Sequence, residues 1–121
     1  MLSQNMSNHI LLEVMFEPSG KKPTSFTYKT TDLVSIGRDK ENMLHCRHDF
    51  VSRHHGALYR LNTKWFFEDF SSLGSFIERQ GRRSAIHNKR VEVFQGDKLI
   101  IEFDQGKGSY LSRYTIVLKQ L

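Results

Sequence analysis

Three short polar blocks hold the residues of this chain best suited to chemistry. They are Val34-Ser35-Ile36-Gly37-Arg38, Val51-Ser52-Arg53-His54-His55 and Asp69-Phe70-Ser71-Ser72-Leu73-Gly74-Ser75. Together they offer arginine, several hydroxyls and turn-forming glycines, but no acidic pair and no clear nucleophile with its base. A phosphate monoester brings negative charge and three strong acceptor oxygens, so it calls for a planar fork of N–H donors, short hydroxyls and backbone N–H groups. Arg38 supplies the fork and Ser52 a hydroxyl of suitable length, while Arg53 adds a second positive group or its backbone N–H. Gly37 lets the chain turn sharply before Arg38. The set suits holding a phosphate and is poorly suited to breaking a bond. Ser52 and His55 imitate a nucleophile and base, yet the sequence assigns them no orienting carboxylate and no metal clamp, so no enzyme is expected.

Two other constellations invite chemistry. His45-Cys46-Arg47-His48, followed by His54-His55, has the composition of a zinc site, which needs four convergent nitrogen or sulfur ligands. Strand-like alternation turns Leu44 and Cys46 inward and His45 outward, so the cluster does not converge, and neither metal nor cofactor is expected. Arg79, Arg82, Arg83, Lys89 and Arg90 form a basic group of the kind that binds phosphate backbones without sequence preference. Trp65 and its neighbouring Phe residues would then stack on bases. They lie in strand runs and read as core, so nucleic acid is the weaker alternative.

The elements that position these residues are strands. Ile10, Leu12, Val14 and Phe16 alternate, as do Phe26 and Tyr28, Val34 and Ile36, Leu99, Ile101 and Phe103, and Tyr114, Ile116 and Leu118. Short runs at Gly56 to Leu61, Trp65 to Phe67, Phe76-Ile77 and Val91 to Phe94 fill the interval, and Asp104 to Ser109 reads as a hairpin loop. No helical stripe interrupts them, which predicts an all-β sandwich with its binding residues on loops at the ends. The 121 residues suit one domain, assigned to residues 9–121 behind a flexible leader at residues 1–8. Nine Phe, four Tyr and one Trp read as core material. The single cysteine, Cys46, excludes an internal disulfide and fits a reducing compartment. The apolar run from Ile10 is broken by Glu13 and is too short to span a bilayer, so a cytoplasmic protein without a membrane span is expected. A net charge of +5 favours anionic partners without choosing among them.

The order Gly-Arg, Ser-x-x-His, Asp-x-Ser-Ser-x-Gly-Ser and then Gly-Asp before an alternating strand resembles the forkhead-associated (FHA) domain, from about Val34 to Phe103. The resemblance implies a β-sandwich of about eleven strands whose end loops bind phosphothreonine peptides. It places Arg38, Ser52 and Arg53 at the phosphate, with Ser72 beside the phosphate and the threonine methyl. His55 fills a histidine slot that braces Ser52, while Gly37, Asp69 and Gly74 shape the loops. Lys40, Asn42 and Leu73 fall on the peptide rim. At position 73 the family has an asparagine that holds the peptide backbone, and Leu73 cannot make such a bond. Glu78-Arg79 replace an Asn-Gly turn and open a basic loop reaching Arg90, while Arg47-His48 make the rim more basic and favour acidic ligands. The expected function is a non-catalytic signalling adaptor that recognises a phosphothreonine-containing partner written by an upstream Ser/Thr kinase. The alternative is a divergent domain that binds an unphosphorylated protein or dimerises.

Overall fold

The computed structural model describes residues 10–18, 20–30, 33–104 and 110–121. The expected leader, and most of the expected loop from Asp104 to Ser109, lie outside the described residues. Eleven strands run in chain order: β1 (Ile10–Pro18), β2 (Thr24–Thr30), β3 (Val34–Gly37), β4 (Leu44–His45), β5 (Gly56–Leu61), β6 (Lys64–Asp69), β7 (Ser75–Arg79), β8 (Arg82–Ile86), β9 (Arg90–Val93), β10 (Lys98–Asp104) and β11 (Tyr110–Gln120). They form a six-stranded sheet, β2-β1-β11-β10-β7-β8, and a five-stranded sheet, β4-β3-β5-β6-β9. Among the described residues no helix is long and apolar enough to cross a membrane.

The alternation read from the sequence sets which residues face inward. Leu12 lies opposite Leu118 and Val14 opposite Ile116, so β1 and β11 bury one continuous apolar row. Ile36, Leu58, Phe67 and Val93 supply the facing row from the second sheet. A side chain of this size contributes about 1.5–3 kcal/mol when fully buried, which makes this double row the main stabiliser of the sandwich.

Two expectations are corrected. The stretch from Glu78 to Arg90 is not a long basic loop. Its first part is the β7–β8 hairpin, closed by Gln80 and Gly81, both with positive φ. Strand β8 escaped the sequence reading because it is an edge strand whose only buried residue is Ile86, leaving no alternation to detect. Nor are all the described aromatics core. Trp65, Phe67 and Tyr114 are buried, whereas Phe66, Phe76 and Phe94 lie on outer faces beneath arginines. Arg90 lies 4.8 Å from the Phe66 ring centroid, Arg83 5.0 Å from that of Phe76 and Arg79 4.8 Å from that of Phe94. Arg79 also grips the buried Asp97 carboxylate through both oxygens, at 2.9 and 2.7 Å, and Arg83 pairs with Glu102. Three of the five basic residues, Arg79, Arg83 and Arg90, are thus engaged by local partners.

Candidate functional site

The three polar blocks meet at one end of the sandwich because backbone bonds tie their loops together. The Arg38 N–H donates to the Ser52 carbonyl at 2.9 Å and the His55 N–H to the Ile36 carbonyl at 2.8 Å. The Phe70 N–H donates to the His55 carbonyl at 2.9 Å, which brings in the third block. The result is a groove of about 510 Å³ with Arg38, Ser52, Arg53, Ser72 and Leu73 on its walls, joined by Asp49, Phe50 and Phe70.

Arg38 is aimed by its own side chain. Nε donates to the Val51 carbonyl at 3.0 Å, which fixes the plane of the guanidinium. Ser52 is set with equal definition. Its Oγ accepts the Ser72 backbone N–H at 3.0 Å, so one lone pair is occupied and the hydroxyl proton points elsewhere. Arg53 is exposed, and its carbonyl accepts from the Asp39 N–H at 3.3 Å and from the Asn42 side-chain amide at 2.8 Å.

Gly37 has a different reason from the one expected. Its φ is not positive, so no turn requires glycine there. A Cβ at this position would fall well inside contact distance of the Arg53 carbonyl oxygen and 2.7 Å from Asn42 Nδ2. Glycine is needed so that the first and second blocks can lie against each other. Gly74, with φ +93°, is a genuine left-handed turn position.

His55 is buried beneath the groove. Its Nδ1 accepts the Ser52 backbone N–H at 3.0 Å. The Nε2 atom lies 3.2 Å from the Gly74 carbonyl and 3.0 Å from Ser75 Oγ. A carbonyl only accepts, so Nε2 carries the proton and the ring is neutral. Burial lowers its pKa from the ordinary value, and the nearby Asp69 carboxylate and the Gly74 carbonyl oppose that only in part. Asp69 is buried below and accepts from the Ser71 N–H and hydroxyl, the Ser75 hydroxyl and the Asn88 N–H. Ser71 Oγ accepts the Gly74 N–H at 2.7 Å, and His87 Nε2 bonds the Ser71 carbonyl at 3.0 Å.

Of the two adjacent serines, Ser71 turns into this buried network and Ser72 stays exposed at the groove. Lys40 and Leu73 are exposed, but neither amide N–H of Asn42 faces outward without a role, since its Nδ2 bridges the carbonyls of Asp39 and Arg53 at 2.8 Å each. The supporting residues Ser71, Ser75, Asn88 and His87 were not legible as a unit. Only the close spacing of Asp69, Ser71 and Ser75 hinted at them.

The basic rim expected from Arg47-His48 keeps the exposed Arg47 but loses His48. His48 stacks on Phe16 at 4.2 Å and bonds the Tyr114 hydroxyl at 2.7 Å. Burial, then the Arg47 charge, lower its pKa, against a smaller opposite pull from Asp49. Asp49 itself stands on the groove wall. His45 is exposed and Cys46 buried, so these side chains diverge, and no group of three His, Cys, Asp or Glu converges on a point among the described residues.

The family profile of the FHA domain matches residues 34–102, more than half of the chain. The chain belongs to the FHA domain family. The matched interval contains every residue of the groove and of the network that supports it. Solved FHA domains share the fold at low identity. The FHA domain of an Arabidopsis thaliana hypothetical protein is 15% identical over 100% of this chain and 94% of its own, with a TM-score of 0.65. The N-terminal FHA domain of S. cerevisiae Rad53p, solved in complex with a phosphothreonine peptide, is 16% identical over 90% and 94%, with a TM-score of 0.57. The FHA2 domain of Rad53, complexed with a phosphotyrosyl peptide derived from Rad9, is 12% identical over 94% and 80%, with a TM-score of 0.65. No curated protein matches the chain.

Proposed function

We propose that this FHA domain is a phosphothreonine-dependent protein–protein interaction module. Arg38 and Ser52 bind phosphate oxygens, Arg53 assists, and Ser72 borders the threonine methyl. The observation that carries the reading is the joint anchoring of Arg38 and Ser52. One backbone bond links them at 2.9 Å, while the Arg38 Nε bond and the Ser72 N–H on Ser52 Oγ fix both donors on one groove. Such pre-set donors lose little freedom when an anion arrives. The complexes of the two Rad53 domains, one with a phosphothreonine and one with a phosphotyrosyl peptide, support a phosphopeptide as the ligand class.

Catalysis finds less support. His55 Nδ1 accepts the backbone N–H of Ser52 and makes no bond to its hydroxyl, so the ring is not placed to take the Ser52 proton. The domain is accordingly proposed to be non-catalytic, cytoplasmic and dependent on a Ser/Thr kinase that marks its partner.

Titrating phosphothreonine, phosphoserine and unmodified versions of one peptide library tests the reading. Charge-assisted hydrogen bonds contribute about 1.5–3 kcal/mol each, so Arg38→Ala is expected to weaken phosphothreonine binding at least about tenfold. Burying the threonine methyl contributes about 0.8 kcal/mol, or about fourfold over phosphoserine. Equal binding of all three forms would sink the proposal. A second reading, phosphate-independent protein binding or dimerisation, draws on the exposure of Leu73 and Phe70, and it predicts that Arg38→Ala leaves association intact.

A further inference from the structure

Across the connection from β6 to β7, Asp69, Ser71 and Ser75 are inside, at 1%, 2% and 2% exposed, and Ser72 is exposed beside Phe70 and Leu73, at 51% and 76%. The inward positions are used up by the Asp69 and His55 network, so Phe70 and Leu73 have no interior to enter. Phe94, another exposed ring, lies beneath the Arg79 guanidinium. Phe70 and Leu73 instead stand on the wall of the groove that holds Arg38 and Ser52. Leu73 directly follows Ser72, whose N–H is bonded to Ser52 Oγ. The charged wall carries Arg38 and Arg53 against Asp49, which favours an anionic group at its centre. A chain segment anchored there by a phosphate has the apolar edge of the same groove beside it.

We propose that the ligand is a phosphorylated peptide segment with a large apolar side chain flanking the phosphorylated residue, seated on Phe70 and Leu73. This rests on the phosphate reading and adds the residue class that the domain selects beside it. The seat is made of two side chains that lie partly in water, so contact removes apolar surface from both partners.

The test is a phosphothreonine peptide set in which each flanking position is in turn Leu, Phe, Ser or Asp, each with its unmodified twin, measured by fluorescence anisotropy. At one flanking position Leu or Phe is expected to bind roughly tenfold tighter than Ser, as follows from burying about two methylene equivalents. In Leu73→Ser and in Phe70→Ser that ratio is expected to fall to about twofold or less. Phosphate-dependent binding with no apolar preference at any position, or with Asp preferred, overturns this inference and leaves the phosphate reading standing. A preference that persists in both variants also overturns it. An apolar preference that ignores phosphorylation, or no binding of any peptide, overturns both.

Discussion

Replacing Gly37 by alanine probes how the first two blocks are held together. The added Cβ meets the Arg53 carbonyl oxygen well inside contact distance, with the Arg53 carbonyl carbon at 2.8 Å and Asn42 Nδ2 at 2.7 Å. The Asn42 amide can swing away, but the Arg53 carbonyl is backbone, so β3 and the loop behind Ser52 must separate. Overpacking of this kind costs about 1–3 kcal/mol. Two hydrogen bonds that end on the same carbonyl, from the Asp39 N–H and the Asn42 amide, are worth about 1 kcal/mol each and are strained together. A loss of about 3 kcal/mol is expected, and for a domain of this size that is a fall of about 12 °C in the unfolding midpoint. Arg38 follows Gly37 and Ser52 precedes Arg53, so the same displacement pulls the two proposed phosphate donors apart. Phosphopeptide affinity, measured by calorimetry well below the midpoint, is expected to fall at least about tenfold. Gly81→Ala is the control. Its Cβ meets nothing within 4 Å, its φ of +78° costs about 1–2 kcal/mol for a non-glycine residue, and binding is expected to be unchanged. A Gly37→Ala protein with wild-type stability and wild-type affinity would refute the clearance argument.

Three further outcomes are expected. The folded-state pKa of His55 lies below its ordinary value, as does that of His48, so the stability carried by the neutral rings is complete above about pH 6.5 and is lost as pH falls through the lower folded values. Thermal scans between pH 8 and pH 5 should show a falling midpoint, and a rising one would contradict the neutral-ring assignment. Burial pushes the Cys46 thiol up to about 12, so its reaction with a disulfide reagent at pH 8 should be at least about a hundredfold slower in native buffer than in denaturant. Rapid native labelling would show that the β4 end of the sandwich opens readily. Asp97→Ala removes the acceptor of both Arg79 and the Phe94 N–H and is expected to cost about 2–3 kcal/mol. Arg79→Ala should cost more than that, because it leaves the buried Asp97 carboxylate with the Phe94 N–H but without its cation. Urea unfolding of the two variants gives the comparison, and equal losses would count against it.

The set proposed to hold a phosphate could be named from the sequence because that chemistry requires particular residue types. A guanidinium and a short hydroxyl in separate blocks, at strand–loop junctions, mark Arg38 and Ser52 before any folding is considered. The inward rows were legible too, because a strand has a period of two and Ile10, Leu12 and Val14 obey it. Strand β8 was not, because an edge strand with one buried residue writes no period. The outer aromatics Phe66, Phe76 and Phe94 looked like core because hydrophobicity does not reveal whether a ring is covered by protein or by an arginine.

The sequence by itself determined the fold class and the family, and it named the residues proposed to hold a phosphate, since all three depend on residue type and local spacing. Only the tertiary structure decided what each residue does there. It turned Ser71 inward and left Ser72 at the groove. It made Gly37 a matter of clearance rather than of turning, and drew His48 off the rim into an aromatic stack. It also set Phe70 and Leu73 beside Arg38. Each of these depends on which distant segment lies a few ångströms away, and such proximity is set by the packing of two sheets whose loops meet at one end.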